Sequence, residues 1–156
     1  MGIAQDFISH SNNCVMSQII TGLWLGSFQE ATDDKWLRRK NIKNVVNCAI
    51  EHDNYFEDVG KIKYLKLAME DAPDQKLNYA VAKAFRFIES ALDRGESVLV
   101  HCHAGISRSA SIVIYFLMRK FGGGFDEVLN YTRSKREQVD PNEGFQYFLS
   151  NIKFKK

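Results

Sequence analysis

The chain has 156 residues, the usual length of a single domain and enough to bury a hydrophobic core. Hydrophobic residues make up 45% and charged residues 26%, so the composition is that of an ordinary globular protein. The formal net charge of +2 gives no electrostatic reason to expect nucleic acid or an anionic membrane surface as a partner.

The three cysteines, Cys14, Cys48 and Cys102, are scattered along the chain. They form neither a disulfide framework nor a CxxC metal pair, which indicates a reducing compartment. No signal peptide or membrane span is visible, so we expect a cytoplasmic protein with access to the nucleus. We also expect that it needs no metal and no cofactor. The chain begins Met-Gly, as N-myristoylated proteins do, but Asp6 stands where that motif carries serine or threonine.

Strands and helices are predicted after a polar, loosely ordered leader over residues 1–16, which has no hydrophobic period. In chain order they are strands at 17–20 and 23–25, a helix at 33–39, strands at 44–48 and 64–68, a helix at 76–94, a strand at 98–100, and helices at 109–118, 125–132 and 141–152. The acidic stretch from Glu51 to Asp58 is interpreted as a solvated surface loop. This order predicts one α/β domain over residues 1–156, with a central mixed, mostly parallel sheet of about five strands flanked by helices on both faces.

Two helix starts carry capping signals. Asp74 is placed to cap the helix that begins near residue 76. Asp140 followed by Pro141 and Glu143 combines an N-cap carboxylate, a proline at the first helical position and a glutamate three residues after the cap. We therefore predict that the last helix begins at Pro141.

Residues 97–111 join a buried strand, a tight loop and a helix start, which is the geometry of an anion cradle. Backbone N–H groups at a helix N-terminus converge on one point, and the helix dipole adds about half a positive charge there. Gly105 allows the tight turn, and the planar guanidinium of Arg108 can hold two phosphate oxygens at once. The same positive field favours the thiolate of Cys102, so we predict that Cys102 is a nucleophile toward a bound phosphorus.

The neighbours of this cysteine have less specific interpretations. The Ser109 hydroxyl either points back at the Cys102 sulfur and stabilises a leaving thiolate, or satisfies a free backbone donor at the helix start. His101 is interpreted as a structural histidine inside the core, bonded to backbone near the nucleophile. Cys48 and Cys14, each taken alone, are interpreted as inert small hydrophobic residues.

Cleavage of a phosphate ester also needs a proton for the departing oxygen, so a carboxylic acid should lie over the cradle. Residues 68–74 follow a predicted strand, and sites in open α/β sheets gather beyond the carboxyl ends of strands. From the residues alone, Glu70, Asp71 and Asp74 all remain candidates for this acid.

The sequence His-Cys-His-Ala-Gly-Ile-Ser-Arg-Ser over residues 101–109 resembles the signature of the dual-specificity branch of the cysteine-dependent protein tyrosine phosphatases. Residues 23–26, 44–47 and 141–145 resemble further landmarks of that family, although Trp24 stands where tyrosine is commoner. The resemblance implies a tyrosine-phosphatase-like fold. It also implies hydrolysis of phosphotyrosine, phosphoserine and phosphothreonine esters in proteins through a phosphocysteine intermediate.

The resemblance further implies roles for individual residues. Asp71 matches the family's general acid, and Asn142 matches a residue that braces the loop by hydrogen bonds. Cys48 matches a position where some relatives carry a second cysteine, which suggests a reversible Cys48–Cys102 disulfide under oxidation. The residues implied to bind the phosphate are His103, Ala104, Gly105, Ile106, Ser107 and Arg108.

Other functions compete with this one. A phosphoinositide phosphatase would favour lysines in the loop, where only His103 adds a cation, so phosphorylated proteins are the expected partners. An RNA 5′-phosphate phosphatase with the same chemistry stays an alternative. A phosphoprotein-binding module without turnover is disfavoured because Cys102, Arg108 and Asp71 are all present. A rhodanese-like sulfurtransferase would need neither the arginine nor the acid.

Overall fold

Five strands form one sheet at the centre of the structure, a computed structural model that describes residues 16–154. The strands are β1 (Ser17–Ile20), β2 (Leu23–Gly26), β3 (Ile42–Ala49), β4 (Lys63–Met69) and β5 (Ser97–His101). Their spatial order is β1-β2-β5-β3-β4, and only the β1–β2 pair is antiparallel. The predicted mixed, mostly parallel sheet is confirmed.

Among residues 16–154, six helices accompany the sheet, together with a short 3-10 turn at Glu57–Val59. The helices are α1 (Phe28–Ala31), α2 (Asp34–Arg39), α3 (Asn78–Asp93), α4 (Arg108–Phe121), α5 (Phe125–Lys135) and α6 (Glu143–Asn151). The four-residue α1 was not predicted, since one turn is too short to show a hydrophobic period. Its start is fixed locally by a capping box between Ser27 and Glu30.

The central strand β5 is covered on both faces, as its unbroken apolar run predicts. Val98 and Val100 pack into the larger hydrophobic cluster together with residues of α3, α4, α5 and α6. Leu99 packs into a smaller cluster with Val45 and Leu37, which belongs to α2. Because successive strand residues point to opposite faces, the two clusters confirm the predicted cover by helices on both sides of the sheet.

Helix α4 is the buried helix that the apolar run predicts. Its residues from Arg108 to Met118 are all buried. It continues through Phe121 and ends before Gly122, whose φ of +85° is a conformation that glycine adopts without strain. At its other end, α4 begins at Arg108, shortly after β5 ends at His101, and the predicted cradle is the loop that joins the two.

The predicted start of the last helix is wrong. Helix α6 begins at Glu143, and its N-cap is Asn142, whose side-chain oxygen accepts from Phe145 N at 3.0 Å. The Asp140 N–H instead donates to the carbonyl of Ile106 in the cradle loop at 2.8 Å. A tertiary contact thus fixes the chain at residue 140, and the helix starts after it.

Asp74 does not cap the long helix, so that prediction is also wrong. Helix α3 starts after Leu77, an N-cap residue that makes no side-chain cap bond. The preceding segment is closed by Gln75, whose Oε1 accepts from the backbone N–H of Glu70 at 2.9 Å. Asp74 lies exposed on this segment.

The predicted leader lies outside the described residues except for Met16, whose side chain is buried in the smaller cluster. Cys14 also lies outside them. Within residues 16–154, no helix is both long enough and apolar enough to cross a membrane.

The packing of the larger cluster predicts that two phenylalanines of α4 contribute differently to the free energy of unfolding. Phe116 is 1% exposed and Phe121 is 65% exposed. Phe116→Ala should lower the free energy of unfolding by about 3–5 kcal/mol because it leaves a cavity in the core. Phe121→Ala should change it by no more than about 0.5 kcal/mol. Urea denaturation measures both values, and equal losses would contradict this packing.

Candidate active site

Cys102 follows β5 at the base of the loop that leads into α4. Its side chain is buried, and its Sγ lies 3.1 Å from Ser109 Oγ. The backbone N–H of Gly105 donates to the same sulfur at an N···S distance of 3.3 Å. Of the two interpretations of Ser109, the contact with sulfur is the one found.

The loop carbonyls are hydrogen-bonded away from the loop centre. The carbonyl of His103 accepts from Phe28 N at 3.0 Å, and that of Ile106 accepts from Asp140 N at 2.8 Å. In a trans peptide the N–H of the next residue points opposite to the carbonyl. The N–H groups that follow these carbonyls are therefore turned toward the inside of the loop.

Arg136 binds the two loop carbonyls that lie between those of His103 and Ile106. Its Nε donates to Gly105 O at 2.9 Å and its Nη2 to Ala104 O at 3.3 Å. The side chain is buried, as is that of Glu30, whose charge is opposite. Burial raises the pKa of Glu30 and lowers the pKa of Arg136. This buried arginine fixes the back of the loop and leaves its front open to an anion.

Gly105 is required at its position for two reasons. Its φ is +72°, in the left-handed region that favours glycine. A Cβ there would lie 2.6 Å from Gly26 O and 2.7 Å from Arg136 Nη2. Any side chain would therefore displace the loop from the end of β2 or from its supporting arginine.

Arg108 is held by a carboxylate that the sequence interpretation assigned to solvent. Its Nη1 and Nη2 donate to the two oxygens of Glu51, both at 2.7 Å, and Nη1 also donates to Met69 O at 2.9 Å. The interpretation of the acidic loop as merely solvated is thus wrong for Glu51. Hydrogen bonding to Arg108 lowers the pKa of Glu51 to about 2.

This ion pair leaves part of the guanidinium available. Arginine has five N–H donors, of which Glu51 takes two and Met69 takes one. The remaining two, on Nε and Nη2, lie along one edge of the Arg108 guanidinium. That edge matches two oxygens of a tetrahedral anion. Glu51 therefore orients Arg108 without occupying the edge that suits phosphate.

Asp71, the predicted acid, is connected to the loop through Asn142. Asp71 follows β4, and its Oδ1 accepts from Asn142 Nδ2 at 2.9 Å. The Asn142 N–H donates to Ser107 Oγ at 2.9 Å. The segments that carry Asp71 and Asn142 are closely packed, since a Cβ on Gly144 would clash with the carbonyl oxygen of Pro73. Asn142 thus connects the loop to Asp71 through two hydrogen bonds.

His101 occupies the core position that the sequence predicts. The residue is fully buried, and its Nδ1 lies 3.1 Å from the carbonyl oxygen of Cys102. Burial lowers the pKa of His101 to about 4. The ring is therefore neutral near neutral pH.

Cys48 lies next to the nucleophile across the sheet. In the parallel pair of β3 and β5, Asn47 is in register with His101, so the next residues along each chain are neighbours. Cys48 and Cys102 are both buried and both free thiols. Burial, and then the charge of Cys102, raises the pKa of Cys48 well above its ordinary value. Cys48 is therefore a protonated thiol near neutral pH.

Sequence reasoning missed Glu51, Glu30 and Arg136. Glu51 follows the carboxyl end of β3, the neighbour of β5. The rule that sites gather beyond strand ends would have identified it. Nothing in the local pattern marks Arg136, because it lies 31 residues from the glycine that it supports.

The ion pair predicts the titration of Glu51. Its pKa is about 2, and Arg108→Met should return it toward the ordinary value of about 4.3. Since folding lowers this pKa, the pair stabilises the folded chain above about pH 4.3 and is lost as the pH falls toward 2. Carbon-13 NMR of labelled glutamate measures the shift. Arg94→Met, which breaks a separate pair with Glu96, is the control, and identical Glu51 curves in both variants would contradict the pair.

Comparisons with known proteins give a consistent result. A family model described as the dual specificity phosphatase catalytic domain matches residues 23–154. Dual specificity protein phosphatase 22 of Mus musculus is 36% identical over 137 residues, which cover 88% of this chain and 73% of the relative. Dual specificity protein phosphatase 1B of Arabidopsis thaliana is 35% identical over 130 residues, covering 83% of this chain and 77% of the relative.

Solved structures share the fold. Human tyrosine phosphatase-like serine/threonine/tyrosine-interacting protein superposes with a TM-score of 0.80 at 32% identity, over 86% of this chain and 92% of that one. DUSP15 superposes with a TM-score of 0.81 at 30% identity, over 86% and 85%. The region matched by the family model contains the loop, its arginine and the acid. The chain therefore belongs to the dual-specificity phosphatases and is a cysteine-dependent protein phosphatase.

Proposed function

We propose that Cys102, Arg108 and Asp71 carry the hydrolysis of phosphotyrosine, phosphoserine and phosphothreonine esters in proteins. The observation that supports this most is the position of the Cys102 sulfur. It lies at the base of a loop whose carbonyls at residues 103–106 are hydrogen-bonded outward, so the N–H groups of residues 104–107 are turned inward. The N–H of Gly105 reaches the sulfur itself. A phosphoryl group held there by the free edge of Arg108 has its phosphorus next to the sulfur.

In the first step the Cys102 thiolate attacks phosphorus, and the bond from phosphorus to the ester oxygen breaks. The inward N–H groups and Arg108 stabilise the negative charge on the three other oxygens. Protonated Asp71 gives its proton to the departing oxygen. The alcohol leaves, and a phosphocysteine remains on Cys102.

In the second step water attacks the phosphocysteine. The Asp71 carboxylate accepts a proton from this water, and inorganic phosphate forms. The sulfur departs as a thiolate, which the hydroxyl of Ser109, 3.1 Å away, stabilises by a hydrogen bond. Asn142 acts as a positioning residue in both steps, since it holds the Asp71 carboxylate against the loop.

The surface beside the loop supports protein substrates. A cavity of about 670 Å³ adjoins the loop and is lined by Ser27, Phe28, Gln29, His103, Ala104, Ile106, Glu137 and Gln138. Its lining includes no lysine or arginine and one acid, Glu137. Such a wall suits a peptide segment next to the phosphorylated residue. It is unfavourable for a multiply anionic inositol phospholipid, because that ligand needs several cations.

The alternatives are separable by assay. Phosphoinositides and RNA 5′-phosphates use the same chemistry, so a panel with phosphotyrosyl and phosphothreonyl peptides should show higher kcat/KM on the peptides. One solved relative is named as an interacting protein, and a phosphoprotein-binding module is the non-enzyme alternative. The assembled Cys102, Arg108 and Asp71 support turnover instead.

The role of Asp71 predicts a dependence on the leaving group. Asp71→Ala should lower kcat by about 10²–10⁴-fold on a phosphothreonyl peptide, whose alkoxide leaves poorly without a proton. On para-nitrophenyl phosphate the loss should be much smaller, since that leaving group is stable as an anion. Cys102→Ser should abolish turnover on both substrates and keep phosphate binding.

Asp74→Ala is the matched control, because Asp74 is an exposed carboxylate on the same segment. It should keep wild-type kcat on both substrates. An equal loss on both substrates for Asp71→Ala would contradict its role as the acid. Near-normal turnover of Cys102→Ser would overturn the whole assignment.

We also propose that Cys48 protects Cys102 by a reversible disulfide under peroxide. The register of β3 and β5 supports this pairing, because it pairs Asn47 with His101, the residues directly before the two cysteines. Peroxide oxidises the Cys102 thiolate to a sulfenic acid, and Cys48 displaces water from it to form the disulfide. A catalytic thiol of this kind works in a reducing compartment, so we propose a cytoplasmic location with access to the nucleus.

The disulfide predicts how activity recovers after oxidation. The wild-type enzyme treated with peroxide should regain activity in dithiothreitol, whereas Cys48→Ala should lose it permanently because Cys102 proceeds to the sulfinic acid. Cys14→Ala should recover as the wild type does. Non-reducing peptide mapping identifies the pair, and a sulfinic Cys102 beside a free Cys48 in the wild type would refute it.

A further inference from the structure

Two histidines and a glutamate meet on the rim of the active site. Glu51, His52 and His103 each offer one ligand atom, and these three atoms lie within 4.8 Å of one another. His52 Nε2 and His103 Nδ1 are 2.9 Å apart. In the part of the chain that the structure describes, this is the only group of three or more such residues that could hold a metal ion.

The two imidazoles are held in place by Phe28. Their ring centroids lie 4.8 and 4.7 Å from that of Phe28, with interplanar angles of 10° and 11°. The two imidazole centroids are only 5.2 Å apart, so both rings lie on the same side of Phe28. Phe28 is itself fixed, because its N–H donates to the carbonyl of His103. The nitrogens therefore face each other in an ordered layer.

The remaining nitrogen of His52 has a partner of its own. Its Nδ1 lies 2.6 Å from the hydroxyl of Tyr55. A hydrogen bond at the far nitrogen commonly orients a metal-binding histidine. When Nδ1 donates to Tyr55, Nε2 carries the lone pair, and in the metal-free chain it accepts from His103 Nδ1. A metal ion would replace the proton shared by these two nitrogens.

The Glu51 carboxylate keeps an acceptor site for a cation. Of about four lone-pair sites on a carboxylate, Arg108 uses two, and the backbone N–H of Glu51 lies close enough to use another. One acceptor site remains for a metal.

We propose that Glu51, His52 and His103 form a binding site for a divalent transition-metal ion such as Zn²⁺, with water completing the coordination. Two imidazoles and one carboxylate with an open fourth position are a known zinc ligand set. Imidazole nitrogens also favour zinc, copper and nickel over magnesium or calcium. The site adjoins the phosphate loop, since His103 directly follows Cys102.

The distances require a small adjustment. Tetrahedral zinc with bonds of about 2.0–2.1 Å separates its ligand atoms by roughly 3.3 Å. The two ring nitrogens must therefore open slightly from 2.9 Å, and the carboxylate oxygen must approach. The His103 side chain is exposed, so its ring can move without disturbing the core. Glu51 stays paired with Arg108 and offers the acceptor site that this pair leaves over.

The site is tested by binding of Zn²⁺ alone to the full chain carrying Cys102→Ser, which removes the competing thiolate. Isothermal titration should give one Zn²⁺ per chain, and bound Co²⁺ should show the visible absorption of a site with nitrogen ligands. His52→Ala and His103→Ala, each added to that background, should weaken Zn²⁺ binding by at least about tenfold. Circular dichroism checks that each variant is folded.

Two matched glutamate variants measure the contribution of the Glu51 carboxylate to Zn²⁺ binding. Glu51→Gln should weaken binding, whereas Glu57→Gln, in the same loop but outside the group of three, should not. Unchanged affinity in both histidine variants, or no binding to the Cys102→Ser chain, would overturn the site and leave a proton-sharing histidine pair. The proposed hydrolysis is unaffected by that result, since no turnover enters the measurement.

Discussion

The hydrogen bonding of the loop carbonyls is the constraint on which the site depends. Arg136 holds two of them from inside the protein, where it is 3% exposed. Burying a guanidinium is costly unless its donors are satisfied, and the loop carbonyls and Glu30 supply that compensation. The loop is consequently fixed before an anion arrives, and its N–H groups need no reorganisation as negative charge develops in the transition state.

The same loop controls the position of Asp71, although the two are far apart in the chain. Its carbonyl at Ile106 and its hydroxyl at Ser107 accept from the backbone N–H groups of Asp140 and Asn142. Helix α6 begins after these contacts, and the Asn142 side chain then reaches Asp71. The last helix therefore starts later than the local capping pattern predicts. The residues that this pattern assigned to the helix start instead connect the loop after Cys102 to the segment that carries Asp71.

Local patterns predicted the parts of the structure that local physics determines. Neighbouring residues determine the apolar run at 98–100, the tight turn at Gly105 and the buried helix after it. The mostly parallel sheet was predicted from the order of strands and helices along the chain. Contacts between distant segments could not be found in this way. Arg108 and Glu51 are 57 residues apart, and His52 and His103 are 51 residues apart. The charges around Glu51 resemble any solvated loop, and only its position close behind the end of β3 distinguishes it from Asp53 or Glu57.

Glu51 determines how the site attracts its ligand. Its carboxylate compensates the charge of Arg108 along one edge of the guanidinium, so the pair contributes little net charge to the cradle. Attraction for phosphate then depends on the converging N–H groups, the helix dipole and the remaining edge of Arg108, all of which act over a short range. Such a site selects the shape of one tetrahedral dianion more than the total charge of its carrier. A single phosphate ester on a protein side chain meets this requirement, whereas further phosphates on a ligand would find Glu137 and the acidic loop instead of cations.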